Sequence, residues 1–204
     1  IIMSSHLSNV LDSLFDAQVP DAWAAVSWPS STLGFWFADF VARAQQLNSW
    51  LSDGRPRVFW LGGFFNPQGF LTAVLQEASR KMGLPLDMVD SYTTIPKDGK
   101  EIKRTEMGVY LEGLTLEGAR WDRRNGKLED LGDRGKQTMV EMPCIFFSAR
   151  PKEERDLTQY ACPVYVSPRR QDLEYVTTIW LKTDHEEGPG FWVRRGVALL
   201  TTRN

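Results

Sequence analysis

Residues Phe59–Phe70 read FWLGGFFNPQGF: an apolar run, a glycine pair, and then Asn-Pro-Gln-Gly at the head of a helical pattern. Strand, glycines and helix is also the layout of a phosphate cradle, so this stretch must be read first. A P-loop needs G-x-x-x-x-G-K-[ST], and no Lys-Ser or Lys-Thr follows Gly69; a dinucleotide fingerprint needs G-x-G-x-x-G, whereas here Gly62-Gly63 is followed by Gly69 after five residues. Each residue has a structural task instead. Asn66 is a favoured N-cap, and Pro67 falls at the first helical position, where its missing N–H costs nothing. Phe65 and Phe70 flank the cap at the spacing of a hydrophobic staple. Leu71, Val74, Leu75 and Ala78 carry the apolar face on to Met82, and Gly83 with Pro85 ends it. The stretch predicts a helix start, not a phosphate site.

On the N-terminal side the pattern is helical. Met3, Leu7, Val10, Leu11 and Leu14 form a stripe over Ile2–Ala17 that stops before Pro20. Trp23 and Trp28 lie among small residues in a connector over Asp21–Pro29. Ser30-Ser31-Thr32 caps a second helix running to about Ser52. Its stripe is Trp36, Phe37, Phe40, Val41, Ala44, Leu47 and Leu51, with Asp39, Arg43 and Gln46 opposite. An aromatic face of that size needs another element against it. Arg57–Leu61 reads as a short strand.

On the C-terminal side alternating and β-branched runs replace helical stripes: Met88–Ile95, Gly108–Trp121, Met139–Ala149, Ala161–Ser167, Tyr175–Lys182 and Gly190–Leu200. Asn125-Gly126 predicts a type I′ hairpin tip, and Pro96–Gly99 and Glu186–Pro189 read as loops. About six or seven strands without helical crossovers predict an α+β fold, in which N-terminal helices over 1–85 precede a small antiparallel β-barrel or sandwich over 86–204.

Composition excludes several function classes. The 204 residues carry a net charge of -2 with pI near 5.8, which gives no global pull toward nucleic acid or an anionic membrane. The basic doublets Arg123-Arg124, Arg169-Arg170 and Arg194-Arg195 do not extend into runs and read as solvated faces or hairpin tips. Aromatic residues make up 12%, with eight Trp, which is ample for a packed core. Only Cys144 and Cys162 are present, both inside apolar strand patterns, where reduced buried thiols are expected. No segment is long and apolar enough to read as a membrane span. The start, IIMSSHLSNV, carries no initiator Met and no signal-peptide pattern, and reads as if cut from the interior of something longer.

Catalytic and metal chemistry is not assembled by the sequence. His6 and His185 fit no metal-ligand spacing. Asp184, Glu186 and Glu187 around His185 lack the register of a calcium loop and read as a solvated acidic turn. No G-x-S-x-G elbow occurs, and Asp87 with Asp90, or Glu112 with Glu117, are expected on solvent-facing positions. Trp121, Trp180 and Trp192 lie within strand patterns and read as packing residues. No catalytic, cofactor-binding or metal-binding residue is assigned, and no cofactor is expected.

Read together, FWLGGFFNPQGFLTAVLQ, YACPVYVSPRR and FWVRRGVALL strongly resemble the C-terminal region of dynein heavy chains over essentially the whole sequence. AWAAVSWPS and NSWLSDGRP are similar to the entry into that region, and the intact Phe64–Phe70 wording resembles the axonemal branch. The resemblance implies a region packed across one face of a ring of six AAA+ modules, opposite the linker, as helices followed by a β-barrel. It implies no nucleotide site here, because Walker and sensor residues and the microtubule-binding stalk lie upstream. The expected partners are the AAA+ ring of the same heavy chain and other axonemal dynein subunits, with no nucleic acid, membrane or direct microtubule contact. The expected location is the cytoplasm and cytoskeleton, in the axoneme of a cilium or flagellum. The protein is thus expected to be a non-catalytic cap that modulates the motor. An adaptor module recruiting an axonemal partner is the alternative, and a ligand-binding barrel is disfavoured by the large side chains of the strands.

Overall fold

The computed structural model describes residues 4–96, 102–103, 105–132, 138–152 and 158–201. The chain divides into two compact units, Ile1–Pro56 and Arg57–Asn204. The sequence changes character near residue 85, but the helix that begins at Pro67 packs with the strands of the second unit.

The first unit is helical. Helix α1 spans Ser5–Phe15 and is capped by the Ser4 hydroxyl, which accepts from the Leu7 N–H. A single turn, α2 (Asp21–Ala24), leads to α3 (Leu33–Asp53), whose N-cap Thr32 accepts from the Phe35 N–H. Trp36 organises this unit. Its ring stacks on Trp23 at 5.3 Å, on Trp28 at 5.4 Å and on Phe40 at 5.5 Å, and its Nε1–H donates to the Ser27 hydroxyl at 2.9 Å. The tryptophans of the connector are therefore packing partners of α3, and the polar handle of the buried indole is satisfied.

The second unit opens with strand β1 (Val58–Trp60) and a 3-10 turn over Leu61–Gly63, and then enters α4 (Pro67–Met82) as the sequence predicts. The Asn66 side chain accepts from the Gly69 N–H at 2.8 Å. Gly83 closes the helix in the left-handed region at φ 66°. The staple differs from the sequence reading. Phe64, not Phe65, stacks on Phe70, with ring centroids 4.1 Å apart and planes at 15°, while Phe65 is 71% exposed. The Phe59 ring, 5.0 Å from Phe70, completes the cluster.

Strands follow as β2 (Val89–Thr94), β3 (Val109–Glu112), β4 (Thr115–Glu117), β5 (Arg120–Asp122), β6 (Lys127–Glu129), β7 (Met139–Glu141), β8 (Ile145–Pro151), β9 (Gln159–Tyr165) and β10 (Tyr175–Lys182). The short helix α5 (Gly190–Arg195) and strand β11 (Ala198–Leu200) complete the unit. Among the described residues no closed antiparallel barrel is formed. One sheet has the order β1-β3-β8-β2 and the other β10-β9-β11-β4-β7, with β5-β6 as a separate hairpin. Both larger sheets are open and mixed, because β1 runs parallel to β3 and β11 runs parallel to β9. The first parallel pair follows from connectivity. Between β1 and β3 the backbone passes through α4 and β2, a crossover long enough to bring it back in the same direction.

Other expectations are corrected locally. The run Gly108–Trp121 is broken by Gly113 and Gly118, both at positive φ, so that it forms three strands in place of one. Met139–Ala149 is split where Pro143 interrupts the ladder. Gly190–Arg195 is helical, with Gly196 at φ 71° as its terminator. The β5–β6 hairpin has a four-residue tip, not a type I′ turn: Gly126 has positive φ and Asn125 does not, and the Asp122 carboxylate accepts the backbone N–H of Arg124 and Asn125. The predicted Pro96–Gly99 loop lies, beyond Pro96, outside the described residues, as do Ile2 and Met3 of the first predicted helix.

The core of the second unit is built from Phe59, Leu61, Leu111, Leu116, Ile145, Phe147, Ile179, Leu181, Trp192 and Leu199, each about 1% exposed or less. Helix α4 covers strands β2, β8 and β10 with its Leu71, Val74 and Ala78 face. The two larger sheets meet at β2 and β10, where the Trp180 N–H donates to the Thr93 hydroxyl at 3.2 Å.

Candidate functional site

The glycines of the opening stretch are committed to packing. A Cβ on Gly62 would stand 2.3 Å from the Thr201 carbonyl oxygen, and a Cβ on Gly69 would stand 2.8 Å from the Asn66 amide that caps the helix. The Gly69 N–H that an anion would need is already given to Asn66.

Residues that sequence reading set aside as solvated turn out to brace the second unit. The Arg170 guanidinium donates to the Gly196 carbonyl at 2.7 Å and to Glu117 at 2.6 Å, and Arg170 itself adopts φ 51°. Arg195 is only 6% exposed at its side chain; it donates to the carbonyls of Gly118 and Gly132 and lies 3.0 Å from Asp130. Two of the three doublets therefore each contribute one arginine as an internal strut. Spacing gives no signal for this, because the carbonyls they reach are 26 to 77 residues away. Glu117, expected at solvent, is the partner of one strut.

The remaining candidates stay apart. His185 stacks on Phe191 at 3.7 Å, and its Nδ1 accepts from the Glu187 N–H. In the acidic turn Asp184 pairs with Lys127, and Glu187 pairs with Arg194. No set of His, Cys, Asp and Glu converges on a metal site among the described residues. Cys162 is fully buried, and burial pushes its thiol up. Cys144 is half-buried, and burial with the nearby Glu112 carboxylate pushes its thiol up to about 11. A cavity of about 290 Å³ is lined by Glu112, Trp121, Glu141, Pro143 and Cys144 among others. Trp192 is buried as expected, but on α5, not on a strand.

The exposed apolar surface is unevenly placed. Of the eighteen exposed large hydrophobic side chains among the described residues, ten lie between Leu7 and Leu51, in the smaller unit. On α3 the predicted stripe is real but uncovered: Phe37, Phe40, Val41 and Leu47 are nearly half exposed and Leu51 is 86% exposed, whereas Trp36 is buried. On α1, Leu7 and Leu11 are similarly open and Phe15 is 92% exposed. Arg43, expected on the polar face, is 8% exposed, with its guanidinium 4.1 Å above the Trp28 ring; burial lowers its pKa, and Asp39 opposes that shift. This apolar stripe, on a helix that buries only Trp36 and Arg43, is the candidate interaction surface.

Residues 1–201 match the family model of the C-terminal domain of the dynein heavy chain. The protein belongs to this family. It is 48% identical over 204 residues to dynein axonemal heavy chain 5 of Mus musculus and 45% identical over 204 residues to dynein axonemal heavy chain 8 of the same species. It is also 38% identical over 208 residues to the dynein-1-beta heavy chain of the flagellar inner arm I1 complex of Chlamydomonas reinhardtii. Each match takes in 98% of this sequence but 4% of the relative, so it spans about one twenty-fifth of the length of the curated relatives it matches. The family assignment agrees with the resemblance carried by the FFNPQGF, YACPVYVSPRR and FWVRRGVALL segments.

Proposed function

We propose that this dynein C-terminal domain is a non-catalytic cap on the AAA+ ring of its own heavy chain, in the axoneme of a cilium or flagellum. The observation that carries this reading is the exposed apolar stripe of α3. Its Phe37, Phe40, Val41, Leu47 and Leu51 need a covering surface, and a heavy chain as long as the matched relatives, of which this sequence spans 4%, would supply one. A cap that touches several ring modules has a different contact energy in each ring conformation, and it biases the ATP-driven cycle by that difference and no more. About 1.4 kcal/mol of differential contact energy changes a conformational equilibrium tenfold.

Two heavy-chain variants test the reading. One ends just before Arg57, at the start of the second unit; the other is full-length with Leu47→Glu and Leu51→Glu on the exposed face of α3. Microtubule gliding velocity, stall force and microtubule-stimulated ATPase are recorded together for each. The expected result is altered force or coupling in both, with basal ATP binding retained. If neither variant changes any of the three, the cap reading fails and the domain becomes an adaptor, to be pursued by partner capture.

A further inference from the structure

We draw no further inference here: the strongest candidate, the cavity of about 290 Å³ between the β5–β6 hairpin and the β7–β8 turn, lined by Glu112, Trp121, Glu141 and Cys144, carries nothing because its two carboxylates are solvent-exposed and no other feature of the structure points to a ligand for them.

Discussion

The α-carbon of Gly62 faces the carbonyl of Thr201 so closely that a methyl group on it would lie 2.3 Å from the oxygen. The turn after β1 and the end of β11 are thereby packed backbone to backbone, with no room for a Cβ between them. Gly62→Ala should lower stability by roughly 2 kcal/mol or more, since neither partner is a flexible side-chain end. Gly34→Ala should be neutral or stabilising by up to about 1 kcal/mol, because its new Cβ meets only the Thr32 hydroxyl at 3.9 Å. Urea midpoints of the two variants check the contrast, and equal midpoints would contradict the close approach.

The helix start offers a test in which a mutation changes sign. Asn66→Ala alone should cost about 1 kcal/mol through the lost cap. Gly69→Ala alone should also destabilise, because its Cβ would meet the Asn66 amide at 2.8 Å. In the Asn66→Ala background the same Gly69→Ala change should become favourable by about 0.5 kcal/mol, as alanine replaces glycine in a helix. A double-mutant cycle measures the coupling, and additive effects would show that Asn66 and Gly69 do not share this space.

Adjacent arginines should behave differently. Arg194 is 63% exposed at its side chain and pairs with an exposed Glu187, so Arg194→Ala should change stability by less than about 0.5 kcal/mol. Arg195→Ala should cost about 2 kcal/mol, since it strands the Gly118 and Gly132 carbonyls and the Asp130 carboxylate. Arg195→Lys should recover little, because one ammonium cannot reproduce the forked contacts. Thermal denaturation of the three variants reads this out.

Both thiols should resist alkylation in the folded protein at pH 8 and react at once in guanidinium. The same shifts give stability a pH dependence of defined sign. The folded Cys144 keeps its proton up to about pH 11, whereas an unfolded thiol releases it near 9.0. The unfolded state thus binds fewer protons in that window, and stability falls as pH rises from about 9 to about 11. Cys144→Ser should lessen that slope, leaving the part due to the buried Cys162, whose thiol is raised in the same direction. An unchanged slope would assign it to other groups, such as Tyr160, whose hydroxyl is also raised by burial.

The isolated domain should self-associate through the face that the ring is proposed to cover. Leu47→Glu with Leu51→Glu should reduce that association in sedimentation velocity while leaving the unfolding free energy within about 0.5 kcal/mol, as expected for exposed positions. A large loss of stability would mean that these residues pack inside the protein.

The helices were legible because the signals that form them are local. Thr32, Asn66 and Gly83 sit where caps belong, and the observed bounds follow them. The family too could be recognised from long motifs. Sheet pairing was not legible, because the partner of Val58–Trp60 is a strand some fifty residues later, and alternation along one strand does not encode the direction of its neighbour. The helix at Gly190–Arg195 was hidden because FWV reads equally well as an apolar strand. The candidate surface was half visible: periodicity found the α3 stripe, but only the structure separates the buried Trp36 from the exposed Phe40, Leu47 and Leu51. Arg170 and Arg195 carry no local mark at all, since what defines them is the distant carbonyls they meet.

The stack of Trp23, Trp36 and Trp28 also has an optical consequence. Indoles held face to face at 5.3 and 5.4 Å couple their electronic transitions, so the first unit carries a circular-dichroism signature that isolated tryptophans lack. Loss of the coupled signal would report the opening of this stack within the helical unit. Unfolding of the helical unit could then be followed without adding any label.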